Sequence, residues 1–154
     1  MSNSIRNACI FLITGNDRVL LVQQKKDNTW DIPGGMIDKT DKSPFDAMKR
    51  EFKEETSEEL PKLSKNVPRF DYHGHTRIYY DETQYRFTGI KQNKEINAFY
   101  FLKVSDLITR NGNNLEINWN TLASKGMNLR SYFVKSLSAM IRDKDFIIFI
   151  KQHL

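Results

Sequence analysis

One helix constrains this chain more than any other segment. Ser43-Pro44 opens it, with Ser43 suited to the N-cap, Pro44 to the first helical position and Asp46 to the place of a capping-box acid. Phe45, Met48 and Phe52 recur at i, i+3 and i+7, so one stripe must face a core. Pro61 interrupts the pattern, which predicts a helix to about Leu60. Glu51, Glu54 and Glu55 then share one face, and Glu58 continues it a turn later. Like charges at these spacings cost roughly 0.2–0.5 kcal/mol per pair. They also lie in the second half of the helix, where the macrodipole opposes negative charge. Arg50 offsets part of this through an i, i+4 pair with Glu54. A hard divalent cation removes the conflict, because Mg²⁺ or Mn²⁺ takes carboxylate, carbonyl and water oxygens. The helix alone leaves a second explanation open, a solvated acidic face.

The remaining chain reads as a mixed sheet with helices. Residues 5–14 and Val19-Leu20-Leu21-Val22 flank Gly15-Asn16-Asp17-Arg18, a hairpin signal. Residues 25–35 are polar and end in Pro33-Gly34-Gly35, a run expected to continue neither strand nor helix. Phe70 to Tyr80, Tyr85 to Ile90 and Glu95 to Val104 are rich in aromatic and β-branched residues and are expected as strands. Ser105-Asp106-Leu107 suits a short helix, Asn111-Gly112-Asn113-Asn114 a turn, and Glu116 to Leu122 is ambiguous. From about residue 128 the spacing of Leu129, Phe133, Leu137, Met140 and Ile141 predicts helices, divided at Asp143-Lys144-Asp145. No repeat or linker divides the 154 residues, so a single domain over 1–154 of α/β (α+β) class is expected.

Composition narrows the function. Twenty-four Lys+Arg against 19 Asp+Glu leave a charge of +5, which favours polyanionic ligands such as phosphates or nucleic acid. Cys9 is the only cysteine, so an intrachain disulfide and a CxxC zinc site are both excluded. Its neighbours, Ala8 to Ile13, are apolar and make it a buried small hydrophobe rather than a reactive thiol. That run is too short for a bilayer and lacks a cleavage site after it, so a cytoplasmic protein without a membrane partner is expected.

A Pro-Gly-Gly turn followed by a capped helix bearing Arg50-Glu51-Phe52-Lys53-Glu54-Glu55 resembles the Nudix hydrolase family. Its box reads G-x5-E-x7-R-E-U-x-E-E-x-G-U, with U a bulky aliphatic. Gly35 matches the first glycine, Arg50-Glu51 the RE pair, Phe52 an apolar U position and Glu54-Glu55 the paired acids. The resemblance extends from about residue 5 to 122, through the Trp30-Asp31-Ile32-Pro33 lead-in and the strand from Glu95 to Val104. Two departures stand out. Gly35 and Arg50 are 15 positions apart, one more than in the family, so the first box acid falls on Asp41 counted from the glycine or on Lys42 counted from the arginine. The late glycine is Ser57 and the last aliphatic Glu58, which implies a longer helix or a strained left-handed residue at its end.

The resemblance implies a mixed β-sheet sandwiched between α-helices and a metal-dependent pyrophosphohydrolase cleaving a nucleoside diphosphate linked to another group. It also implies residue roles. Glu54, Glu55 and the Gly35 carbonyl would hold Mg²⁺ or Mn²⁺, with Glu51 a further ligand or the base. Arg50 would orient the glutamates through a bidentate contact. Glu116 is the candidate base outside the box, with an exposed loop acid as the alternative.

Substrate signals are weaker. In Tyr72 to Tyr80, Arg77 suits a phosphate and Tyr79 a base, although the same alternation describes a half-buried strand. His73 and His75 lack a third ligand for zinc. Trp30 either flanks the substrate or caps the core. Lys25, Lys26, Lys62, Lys65, Lys91 and Lys94 read as dispersed loop charges. A nucleotide-type small molecule is the first reading of the substrate. An RNA 5′ end (cap or pyrophosphate) is the second, and a silent binding module is the third, opposed by the intact acids. The sequence leaves the oligomeric state open.

Overall fold

The computed structural model describes residues 5–154, so residues 1–4 of the expected domain lie outside it. Two strands, β1 (Asn7–Thr14) and β2 (Arg18–Gln24), form the expected hairpin around Asn16 and Asp17, both at positive φ. They pair only near the turn, at Ile13–Val19 and Thr14–Arg18. Beyond it the hairpin splays. The freed edge of β1 takes β4 (Gly34–Met36), and that of β2 takes β3 (Trp30–Asp31). The segment Trp30 to Met36 thus fills a split in the sheet. The Pro33-Gly34-Gly35 run does continue into a short strand, contrary to expectation, because Gly34 and Gly35 can lie directly against Cys9 and Ala8.

The other edge of β1 runs parallel to β6 (Thr76–Glu82), which pairs antiparallel with β5 (Arg69–Tyr72). The far edge of β2 pairs with β7 (Ile96–Lys103) along its whole length. The expected strand from Tyr85 to Ile90 is absent among the described residues. Its apolar side chains Phe87 and Ile90 pack on a core, yet its backbone bonds elsewhere: Gly89 N–H donates to the Glu58 carboxylate and Tyr85 N–H to the Thr83 hydroxyl.

Both faces of the sheet are covered, which is why β1 reads as a continuous apolar run rather than an alternating one. Ala8, Ile10 and Leu12 point to a smaller core with Met48 and Phe52 of the helix α1 (Pro44–Thr56). Phe11 and Ile13 point to a larger core formed with α2 (Val104–Leu107), α3 (Trp119–Ser124), α4 (Ser131–Met140) and α5 (Lys144–Lys151). Each fully buried Phe of these cores contributes roughly 1.5–3 kcal/mol. The ambiguous stretch from Glu116 resolves into the end of β9 (Asn114–Ile117), paired with β8 (Ile108–Asn111), followed by α3. Asp143 caps α5, dividing the C-terminal helices where expected. Just before α4 the chain crosses β3: Trp30 N–H donates to the Asn128 carbonyl, and the Trp30 carbonyl accepts from Arg130 N–H, both at 2.8 Å. Among the described residues no helix is long and apolar enough to cross a membrane.

Candidate active site

The helix α1 begins as its sequence requires, with Ser43 Oγ accepting the Asp46 N–H at 3.1 Å. It ends earlier than Leu60. Ser57 adopts the left-handed conformation at φ 68°, its N–H still bonded to the Lys53 carbonyl. Of the two outcomes implied by the missing glycine, the strained residue is the one found. Thr56 Oγ1 donates to the Phe52 carbonyl at 2.7 Å and accepts the Glu58 N–H, closing the end.

This helix lays its acids against the split in the sheet. The Glu51 carboxylate lies so close to Gly35 that a Cβ there would meet it at 2.5 Å, which is why that position has no side chain. Glu55 is buried, and its Oε1 accepts the Gly34 N–H at 2.9 Å. Glu54 stays exposed. Arg50 does not clamp the glutamates bidentately. Its fork goes to Asp41, while Nη1 reaches Glu54 at 3.1 Å and Glu51 at 3.4 Å, and Nη2 also donates to the Met36 carbonyl. From the other side, Asn93 Nδ2 donates to the Glu55 backbone carbonyl at 2.7 Å.

Burial dominates the electrostatics. It pushes the Glu55 carboxyl up to about 8, against the Gly34 hydrogen bond and helped by the charges of Glu51, Asp31 and Glu95. Glu51 is raised for the same first reason despite the adjacent Arg50. Burial also pushes Asp31 to about 6, opposed by Arg130 at 3.2 Å. Asp41 moves the other way, held down to about 2 by the Arg50 guanidinium. Cys9 is partly rather than fully buried against the larger core, and desolvation with the charges of Asp31 and Glu55 raises its thiol.

The donor set suits a hard cation. Glu51 and Glu55 are two carboxylates raised by burial, and Glu55 Oε2 has no protein donor among the described residues. No three His, Cys, Asp or Glu side chains among those residues close a cage by themselves. Mg²⁺ needs no such cage, since it is usually bound through one or two carboxylates and keeps several waters.

A family model for the NUDIX domain matches residues 4–123. The chain belongs to the Nudix family. No curated protein matches the sequence. The Nudix fold is similar to the MutT protein from Methanosarcina mazei Go1, at 17% identity and TM-score 0.55 over 99% of this chain and 96% of that one. It is similar to a UDP-X diphosphatase, at 17% identity and TM-score 0.55 over 68% of this chain and 53% of that one. A bifunctional NMN adenylyltransferase/ADP ribose pyrophosphatase from Francisella tularensis aligns at 17% identity and TM-score 0.58, over 93% of this chain and 42% of that one. The chain thus spans about half the length of the UDP-X diphosphatase. At these identities the likeness is one of fold.

Within this Nudix fold, Gly35, Arg50, Glu51, Glu54 and Glu55 come together as the motif implies. Glu116 does not join them by any contact: it sits exposed on β9, its Oε1 accepting from Asn111 Nδ2. Tyr79 is buried under α1 with its ring edge-on to Phe45, so the strand alternation explains it. Arg77 spends its fork on Asp71, at 2.9 and 3.0 Å. His75 Nδ1 lies by the Thr76 and Tyr132 hydroxyls. Trp30 is half-buried, edge-on to Tyr100 and beside the Asp31–Arg130 pair. Sequence reasoning missed Asp31, Asn93, Glu95 and Arg130. Asn93 and Glu95 had a signal, since Asn93 Oδ1 caps the N–H groups of Glu95 and Ile96 at the start of β7. Arg130, 99 positions from Asp31, had none.

Proposed function

We propose that this protein is a Mg²⁺- or Mn²⁺-dependent hydrolase of phosphoric anhydride bonds, a pyrophosphohydrolase acting on a nucleoside diphosphate linked to another group. The observation that carries the reading is the pair Glu51 and Glu55, both raised by burial and both laid against Gly34-Gly35. Glu54, Glu55 and the Gly35 carbonyl hold the metal, and Glu51 is a further ligand or the proton acceptor. The cation, when bound, would neutralise diphosphate oxygens and acidify water. Glu51, raised above its ordinary value, suits a base working near neutral pH. Arg50 is a positioning residue, keeping Glu51 and Glu54 aligned while Asp41 holds it. Glu95 is the candidate acid outside α1 in preference to Glu116, because its charge acts on both Glu51 and Glu55. Trp30 and Arg130 flank the site on the nucleotide side. The substrate is a free nucleotide or conjugate rather than an RNA 5′ end, and the whole chain forms one domain working in a reducing cytoplasm.

The test is hydrolysis of nucleoside triphosphates, nucleotide sugars, dinucleoside polyphosphates and capped RNA with Mg²⁺, alongside Glu51→Gln. Metal-dependent turnover, reduced at least roughly 10²-fold in the variant, is expected. Full turnover in excess EDTA, or a wild-type rate in Glu51→Gln, would sink the reading.

A further inference from the structure

Three of the six lysines that look scattered along the chain are gathered in space. Lys25, Lys26 and Lys94 line one cleft of about 370 Å³ with Gln24 and Glu95. The cleft forms where β2 ends and β7 begins, and Lys25 N–H donates to the Glu95 carbonyl at 2.8 Å. Lys25 Nζ donates to the Asn93 carbonyl at 3.1 Å, across 68 positions of sequence. Asn93 in turn holds the Glu55 carbonyl. Two hydrogen bonds therefore connect a cleft ammonium to the backbone of the buried α1 acid, and Glu95 walls the cleft. None of the three lysines makes an ion pair with a protein carboxylate among the described residues.

We propose that this cleft receives a third phosphate beyond the scissile diphosphate, which makes the substrate a nucleoside 5′-polyphosphate rather than a nucleotide sugar. The inference rests on the anhydride-hydrolase reading above and refines it. A diphosphate between the α1 acids would be neutralised by the metal those acids would hold. A further phosphate lies outside that reach and needs cations of its own, and three ammonium groups that make no ion pair among the described residues supply them. A sugar in the same place carries no charge and leaves them without a counter-charge. Sequence order hides the arrangement, because Lys94 joins Lys25 and Lys26 only through the β2–β7 pairing.

The experiment measures kcat/KM for a nucleoside triphosphate and for the matching nucleoside diphosphate sugar, in wild type and in Lys26→Gln/Lys94→Gln. Lys25 is left intact because it also holds Asn93. The wild type should prefer the triphosphate, and the ratio should fall at least about tenfold in the double variant, mainly through KM. An unchanged ratio, or a wild-type preference for the sugar, overturns the proposal while leaving the hydrolase reading in place. A 5′-triphosphorylated oligonucleotide carries the same phosphates, and a tenfold gain over the free triphosphate would overturn the choice of a free nucleotide. Calorimetric binding of inorganic tripolyphosphate to each protein reads the cleft without turnover. Affinity should drop about tenfold in the double variant, and equal affinities overturn the proposal even if nothing is hydrolysed.

Discussion

Asp41 holds Arg50 in a two-bond fork, Nε to Oδ1 at 3.0 Å and Nη2 to Oδ2 at 2.9 Å. The acid that faces the box arginine is therefore the one counted from Gly35, and Lys42 is outside the contact. Asp41 is shorter than the glutamate of the family pattern, and a tight turn makes up the reach. Asp38 N–H donates to Asp41 Oδ2 and Thr40 N–H to Asp38 Oδ1, each at 2.9 Å. The extra residue therefore falls between Asp41 and Arg50, which eight residues separate where the family pattern has seven.

Asp41→Asn should lower kcat about tenfold with less change in KM, because Arg50 loses its charged anchor and shifts toward Glu51 and Glu54. A pH signature accompanies it. The Asp41 carboxyl is depressed to about 2, so its stabilisation is present above the usual value of 3.8 and lost as pH falls through about 2. Acid unfolding over that window should be shallower in the variant, and identical acid limbs would contradict the pairing.

Gly35→Ala should separate activity from stability. The added Cβ meets the Glu51 carboxylate at 2.5 Å, the far end of a flexible side chain that can move aside. Turnover should fall at least about tenfold as Glu51 is displaced, while Tm changes little. A large fall in Tm with intact specific activity would mean Glu51 has no role at that spot.

Ser57→Gly should stabilise the fold. An L-residue in the left-handed region costs roughly 1–2 kcal/mol, partly offset by the entropy glycine loses on folding. The net expectation is a Tm rise of about 2 °C, read by calorimetry without metal. A fall in Tm would show that the serine makes up the strain elsewhere.

Glu55→Gln should change how stability and metal respond to pH. Glu55 is raised in the fold to about 8 from 4.5, so its contribution is fully present below 4.5 and is lost as pH rises through about 8. Wild-type Tm should therefore decline across that interval without metal, and millimolar Mg²⁺ should restore more of it at pH 8 than at pH 5. In Glu55→Gln both the slope and the Mg²⁺ effect should shrink. A Tm unmoved by Mg²⁺ at every pH would remove Glu55 from the metal site.

What the sequence disclosed depended on how far apart the partners were. Ser43, Phe52 and the α1 acids act over a few residues of helical spacing, so cap, buried stripe and acidic face were all legible. The hairpin at Asn16-Asp17 and the division at Asp143 are equally local. Tyr85 to Ile90 misled because aromatic content reports burial of side chains, and Phe87 is partly buried without any ladder to its backbone. Glu116 was plausible by its place in the stretch Leu115-Glu116-Ile117-Asn118-Trp119. Its actual surroundings depend on the β8–β9 hairpin, which turns it toward Asn111. Asp31 with Arg130, and Lys25 with Asn93, are joined only by tertiary folding.

The grip on Trp30 from residues 128 and 130 has a consequence for how such a protein diversifies. The match to the family model ends at residue 123, yet the tail beyond it is stitched to β3 by two backbone bonds, which any residue but proline at positions 30 and 130 preserves. Substitutions in the tail can therefore remodel the surroundings of Trp30 and Asp31 while the bonds that seat Glu55, at Gly34 and Asn93, go untouched. Selection can retune the surroundings of Trp30 by drift in the tail, independently of the acids carried by α1.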